Sequence, residues 1–585
     1  MEIAKRKGMI KAGLGKERLD LVIKNVQVVN VYSGKVESGS IGILDDRIVT
    51  PYAFDYEAKN TLDGDGMFAM PGFIDTHVHI DSTLLTPEHL AALIVPHGTT
   101  SMFIDPMEIS NVAGIDGLRA LIASRVKLPY NLFIEVPSRV PTAPGLETTG
   151  GELGLDEVKQ ILHWDETISL GELDPSKVLG LKDEYLAKVE EAQRLGKICN
   201  GHTAGLNELE LTGYTCGGLS DDHECVDYAD AIRRLNLGLS VLIREGSSER
   251  NLELIMSGVL SEGIDTSNLM FCTDDKHPDD IQHEGHIDYM VNQVIKMGLS
   301  PMRAVQMATI NAARHFRVDH VVGSLTPSRY ADIILSRSLE TIVPEMVFHQ
   351  GKQVSQSGNI VTSDIALNYP EYLYRTVSIL NGKKADDFAL KTEGSLAQVW
   401  VIELIRDQII NQRMRAELQV VKGAIQADIE KDILKLAVVE RYGKNGGIGI
   451  TFVHGFGLKK GAIASSVSHD HHNIVVAGTN DLDMAVCVRA IEQTQGGLAI
   501  ALDGKLIDCL PLPIGGLMSD RPAEEVIQAL ERLNQCYRVQ GGVLAAPFMS
   551  LSFISLPTVP ELGLTDKGLV DVIRHELIPS IIDIK

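Results

Sequence analysis

From Pro71 to about Val318 the chain repeats one rhythm: a short apolar run ends in polar residues and is followed by a longer stretch with helical spacing. The runs are FIDTHVH, TSMFIDP, NLFIEVP, TISLGEL, GKICNGH, GGLSDDH, LSVLIREG and NLMFCTDD. Apolar runs of this length predict strands buried on both faces, and the stretches between them predict helices. Eight such units over roughly 250 residues is the arithmetic of a (β/α)8 barrel of the TIM type, in which functional side chains stand at the C-terminal ends of the strands. The polar residues fall at those ends.

The flanks read differently. From Asp20 to about Met70 short β-rich runs, LVIKNVQVVNVYSG and SIGILDDRIVT, are broken by Gly and Asp turns, and after Val321 the stretch VVGSLTPSRYADIILSRSLETIVPEMVFHQGKQVSQSG alternates in the same way. We expect one small β-sheet module built from residues 1–70 plus 319–380, around a barrel over 71–318. Beyond about Ala385 the stretches LAQVWVIELIRDQIINQ and EEVIQALERLNQC predict helices mixed with Gly-rich strands, hence a separate C-terminal α+β domain over 381–585. The fold class is therefore α/β.

Composition narrows the partners. With 78 Asp+Glu against 54 Lys+Arg the net charge is −24, a field that repels phosphate backbones and anionic membranes, so neither nucleic acid nor membrane is expected. No stretch of about 18 uninterrupted apolar residues offers a membrane span, and the first residues lack the apolar run and cleavage site of a secretory signal. Seven scattered cysteines, none spaced C-x-x-C, argue against a disulfide framework and against a cysteine-ligated zinc, and a reducing cytoplasm is the expected location.

The strand ends carry the chemistry. His77 and His79 lie two apart on the first strand, and the period of a strand points both imidazoles into the barrel mouth. Alone, an HxH pair is more often structural than metal-binding. Here, however, Glu172 ends the fourth strand, His202 the fifth, His223 with Glu224 the sixth, and Asp274 with Asp275 the eighth. His77, His79, Glu172, His202, His223 and Asp274 can hold two divalent ions with Glu172 bridging them, a donor set suited to Mn, Fe or Zn. Paired ions depress the pKa of bound water from about 15.7 toward 7, which makes hydrolysis the natural reaction class. Asp274 is placed to take and return the proton, with Asp275 its nearest competitor. Glu224 either moves a proton on the substrate side or orients His223. Arg244 at the seventh strand either orients substrate or forms a buried pair.

At this point the chain resembles the adenine deaminases of the amidohydrolase superfamily, the bacterial and archaeal type that acts on the free base. The resemblance is carried by PGFIDTHVHIDST (71–83), IDPMEISNVAG (104–114), NGHTAGL (200–206), SDDHE (220–224), VLIREGS (241–247) and FCTDDKHPDD (271–280). It continues through EGHID (284–288), MATINAA (307–313), the segment 439–485 and LPLPIGGLMSD (510–520), so that it covers all three regions. It implies conversion of adenine and water to hypoxanthine and ammonia, a purine-salvage step, at two divalent ions, manganese foremost, on the ligand set already named. It also implies a homo-oligomer, a dimer or larger.

Several positions depart from the family's pattern. Members commonly read D-P-H-E-I-A-N-V after the second strand, where Met107 and Ser110 stand here, and H-I-E-S-S and G-H-A-P-G-L where this chain has Asp81, Thr203 and Ala204. Met107 cannot carry a proton or bind a hard cation as an imidazole can. Glu108 and Asn111 persist and are expected at the purine edge, Glu108 as a further catalytic carboxylate and Asp275 beside the substrate. The alternatives are an amidohydrolase acting on another amino-heterocycle or a cyclic amide, or a catalytically silent barrel, which would not retain metal. In the C-terminal region His469, His471 and His472 suggest either a loop lining the barrel mouth, a solvated turn, or a separate metal site. GKNGGIG and HGFGLKKG lack the strand and helix context of a dinucleotide site and read as turns.

Overall fold

The computed structural model describes residues 2–361, 365–405, 411–558 and 561–585. All eight apolar runs form strands of a parallel barrel: β1 (Phe73–Val78), β2 (Thr99–Ile104), β3 (Asn131–Val136), β4 (Thr167–Leu173), β5 (Ile198–Gly201), β6 (Asp221–Asp222), β7 (Ser240–Arg244) and β8 (Leu269–Cys272). Strands β1 to β5 pair in sequence order, as do β6 to β8. Two seams close the ring. Asp274 N–H donates to His77 O at 3.0 Å and His79 N–H to Asp274 O at 3.2 Å, while Ser220 N–H donates to Cys199 O at 2.9 Å.

Strand alternation divides the apolar residues between two cores. Ile74, Phe103, Ile168, Ile198, Leu242 and Met270 point inward and plug the barrel floor, where the Phe103 and Phe316 rings meet at 4.6 Å. Their neighbours Val241, Ile243, Leu269 and Phe271 point outward against the helix Leu252–Glu262. Filling the floor leaves the C-terminal mouth as the open end, so the polar strand ends gather there.

Strands from both flanks of the barrel join in one nine-stranded sheet. Phe68–Pro71 pairs parallel with the long strand Leu19–Asn30 on one side and antiparallel with Ile333–Ser336 on the other. Only Gly72 separates that strand from β1, and a side chain there would collide with Thr100.

The C-terminal region is α+β, built on a ten-stranded sheet with the helices Asp481–Gln493 and Ala523–Val539. The second of these helices lies where EEVIQALERLNQC predicts it. The first expected helix is not formed: Leu396–Leu404 is a strand, paired with a second strand Asn411–Val421. Ala397, Val399 and Val401 alternate as fully buried residues with Gln398 and Trp400, the period of a strand, and β-branched side chains favour that conformation. The part of that expectation on 406–410 lies outside the described residues. No helix among the described residues is long and apolar enough to cross a membrane.

Candidate active site

The period of β1 sends His77 and His79 to one side, and both are buried. Glu172, one residue from the end of β4, meets them: its Oε1 lies 3.0 Å from His77 Nε2 and 3.3 Å from Nε2 of both His79 and His223. Asp274, just past β8, brings Oδ1 to 3.9 Å from His77 Nε2 and 3.6 Å from His79 Nε2. His202, beyond β5, sits further out, with Nε2 3.6 Å from Glu224 Oε1, and that oxygen is 3.4 Å from His223 Nε2. The donors fall into overlapping groups, His77–His79–Asp274, His77–Glu172–His223 and His202–His223–Glu224, each with its donor atoms within 4.8 Å of one another.

These residues fit divalent cations by the chemistry of their donors. His77 Nδ1 lies 2.9 Å from Glu135 Oε2. With its proton given to that carboxylate, the ring turns the lone pair of Nε2 toward the centre, as a ligand must. The Glu172 carboxylate is fixed from behind as well: Arg139 Nη2 donates to its Oε2 and its own N–H donates to Asp105 Oδ2 at 3.2 Å. Burial alone pushes Glu172 up, but Arg139 and the surrounding imidazoles outweigh it and hold the carboxyl well below its ordinary value. Burial likewise opposes ionisation of Glu224 and Asp274, and Arg244 foremost overcomes it in both. Arg244 Nη1 donates to Glu224 Oε1 and to Asp274 Oδ2, each at 2.8 Å. Arg244 thus forms the buried pair, one of the two roles open to it.

The C-terminal domain completes the mouth. The run from Ser468 to Asn473 is buried and enters it from above, so the solvated-turn reading is set aside. Ser468 N–H donates to His472 Nδ1 at 3.1 Å. That ring must then carry its proton on Nε2, which donates to Glu108 Oε2 and leaves no lone pair for a cation there. The Glu108, His469 and His472 cluster is therefore a hydrogen-bonded network, with His469 Nδ1 3.2 Å from Glu108 Oε1. Burial raises Glu108, and the two histidines more than reverse it, so the carboxyl stays ionised.

A cavity lies over the cluster, lined by His79, Glu172, His223 and Asp274 from the barrel and by His469, Phe553 and Leu556 from the C-terminal domain. Glu108, His202, Glu224, Arg244 and Asp275 also reach it, and so does Met107. Asn111 is the exception among the residues expected at the substrate: its side-chain amide donates to Met107 O at 3.1 Å within its own helix, and it is absent from the lining.

Sequence reasoning missed Glu135, Arg139, Glu249, Phe553 and Leu556. Glu135 and Arg139 follow the rule for strand ends, since both lie at or just beyond the end of β3, and that signal was available. Glu249 lies in the loop after β7, where burial, opposed by Arg244 and reinforced by Asp275, raises its carboxyl to about 8. Phe553 and Leu556 carried no signal, because only docking of the distant domain brings them to the cavity.

Comparison with known proteins adds to this geometry. Residues 68–354 match the amidohydrolase family and residues 408–576 match the adenine deaminase C-terminal domain. The chain is 52% identical over 575 residues to the adenine deaminase of Desulforamulus reducens, covering 98% of each chain. It is 38% identical over 575 residues to that of Dehalococcoides mccartyi, again covering 98% of each. Among solved structures, an adenosine deaminase from Xanthomonas campestris with bound zinc aligns over 60% of this chain and 95% of that one, with 15% identity and a TM-score of 0.44.

Proposed function

The chain belongs to the adenine deaminase family of amidohydrolases, and from that premise we propose that it is an enzyme converting adenine and water to hypoxanthine and ammonia. The observation that carries the reading is the convergence of three imidazoles on one oxygen of Glu172, beside a cavity lined by both the barrel and the C-terminal domain. His77, His79, Glu172, His202, His223 and Asp274 would hold two divalent ions, with manganese our first choice and iron or zinc the others. When bound, such ions acidify water and polarise the carbon it attacks.

The remaining chemistry belongs to the side chains. Water adds to C6 of the purine, a ring nitrogen takes up a proton, and the amine leaves as ammonia once it too is protonated. Asp274 is our choice for the carboxylate that accepts the water proton on Oδ1, because Oδ2 is occupied by Arg244. Glu224, held by the same guanidinium, is placed to pass a second proton on the substrate side. Asp275 lines the cavity and receives a hydrogen bond from Ser82 Oγ on Oδ1, which suits it to a substrate contact. Glu108 acts through the imidazoles that hold it.

A second reading, another amino-heterocycle, is favoured only by Met107 on the cavity wall, an apolar side chain where the family's pattern commonly has a histidine. Ammonia release from adenine by manganese-loaded protein, run beside Glu172→Gln and a panel of other aminopurines and pterins, tests both. Release from adenine that vanishes in the variant supports the first reading, whereas release only from another heterocycle would replace it. We also propose a catalytic unit over 71–318, a homo-oligomer, and a reducing cytoplasm as the location, the last supported by seven free cysteines.

A further inference from the structure

We propose that His469 Nε2 is the hydrogen-bond donor through which the C-terminal domain grips a ring nitrogen of the substrate purine, with Phe553 packed against the imidazole as its backing. The inference rests on the adenine reading above and names a contact within it.

Three observations place the atom. His469 is 3% exposed, and its Nδ1 is engaged by Glu108 Oε1 at 3.2 Å, so that Nε2 is the free end of the ring. That Nε2 is buried and has no hydrogen-bond partner among the described residues. The nearest carboxylate oxygen, Asp275 Oδ1, stands 3.7 Å away, beyond hydrogen-bond reach. Such an orphan costs about 1–3 kcal/mol unless something satisfies it, and the side chain lines the cavity where a heterocycle would sit.

The ring is also held rigidly. Phe553 stacks on it with centroids 4.9 Å apart and planes 14° from parallel. Glu108, the anchor of Nδ1, is itself fixed by His472 through the tautomer that Ser468 imposes. The next residue is tied to the barrel, where Thr142 Oγ1 donates to Asp470 Oδ2 at 2.6 Å. Carboxylates on two sides, Glu108 and Asp275, favour a proton on each nitrogen, which makes Nε2 a donor. Purines offer ring nitrogens with free lone pairs in the plane such a donor needs. A donor locked this way aligns the base against the metal-binding side of the cavity at little entropic cost.

The experiment compares binding of adenine with 1-deaza-, 3-deaza- and 7-deazaadenine, each lacking one ring nitrogen, to the metal-loaded enzyme and to the variants His469→Gln and His469→Asn. Asparagine can keep the contact to Glu108 in place of Nδ1 but cannot reach the base, while glutamine can place its amide nitrogen near the position of Nε2. One analogue should bind the wild type roughly ten- to hundredfold more weakly than adenine. That penalty should persist in His469→Gln and collapse in His469→Asn, where adenine itself weakens by a similar factor. His469→Ala serves the same comparison should the asparagine variant fail to fold. A penalty that is the same in all proteins would overturn the inference, since a merely structural histidine weakens every analogue alike. If adenine is deaminated and no analogue depends on residue 469, this contact alone is wrong; if adenine neither binds nor reacts, the functional reading falls and the contact with it.

Discussion

Arg139 and Glu172 divide one carboxylate between two tasks: the guanidinium takes Oε2, and Oε1 is left facing the imidazoles of His77, His79 and His223. A bare carboxylate in that burial would tend to protonate and rotate. Pinned at one oxygen, it stays ionised and aimed.

Replacing the guanidinium should therefore weaken the site without touching a ligand. We expect Arg139→Met to lower the affinity for Mn2+ about 10- to 100-fold, the usual effect of losing a group that orients a ligand. Calorimetric metal titration checks this, and an unchanged affinity would show that the barrel alone positions Glu172.

Gly171 precedes Glu172, and a Cβ there would run into the carboxylate of Asp105, which receives the Glu172 N–H. Gly171→Ala should cost about 1–3 kcal/mol of stability, as overpacking does, and should loosen metal binding in the same protein. Denaturant unfolding with metal removed isolates the first effect; equal stability of the two proteins would mean that Asp105 can move aside freely.

Metal binding to the folded chain should stabilise it by mass action. At free Mn2+ a hundredfold above its Kd the gain is about 2.7 kcal/mol for one site, and chelation should reverse it. In Glu172→Gln the gain should shrink to a small residue. Thermal unfolding across a manganese series measures both, and a variant that gains as much as the wild type would count against Glu172 as a ligand.

Far from the site, His349 gives a pH signature. Its Nε2 lies 3.1 Å from Asn131 Oδ1, and burial, aided by Lys352, depresses its pKa from 6.5 to about 3. The fold thus keeps this imidazole neutral, while the unfolded chain takes up a proton once the pH drops below 6.5. Its contribution is complete above 6.5 and is lost as the pH falls toward 3, at about 1.4 kcal/mol per unit. His349→Gln keeps a donor for Asn131 and removes the titration, so unfolding free energies of the two proteins should converge as the pH is lowered from 7 to 5. A constant difference would refute the assignment.

Much of the site was legible because barrel strands announce themselves twice, by an apolar run and by the polar residue that ends it. His77, His79, Glu172, His202, His223 and Asp274 all sit at such ends, and the structure gathers them. Asn111 stands off the cavity wall for a local reason: its amide donates to Met107 O one turn earlier in the same helix. The stretch at 396–404 was misread because its length suggested a helix, while the alternation of Ala397, Val399 and Val401 pointed to a strand. Phe553 was beyond sequence reasoning, since nothing local records that helix Pro547–Phe553 will dock on a barrel hundreds of residues earlier in the chain.

The clasp between Phe68–Pro71 and Ile333–Ser336 sets an order of events during synthesis. When the first flank leaves the ribosome its partner does not yet exist, and the whole barrel must be made before the sheet can close. Until then Phe68–Pro71 is an unsatisfied edge, open to pairing with another chain. The same late closure then ties off both ends of the barrel at once, holding β1, with His77 on it and His79 just past it, in register from outside the ring.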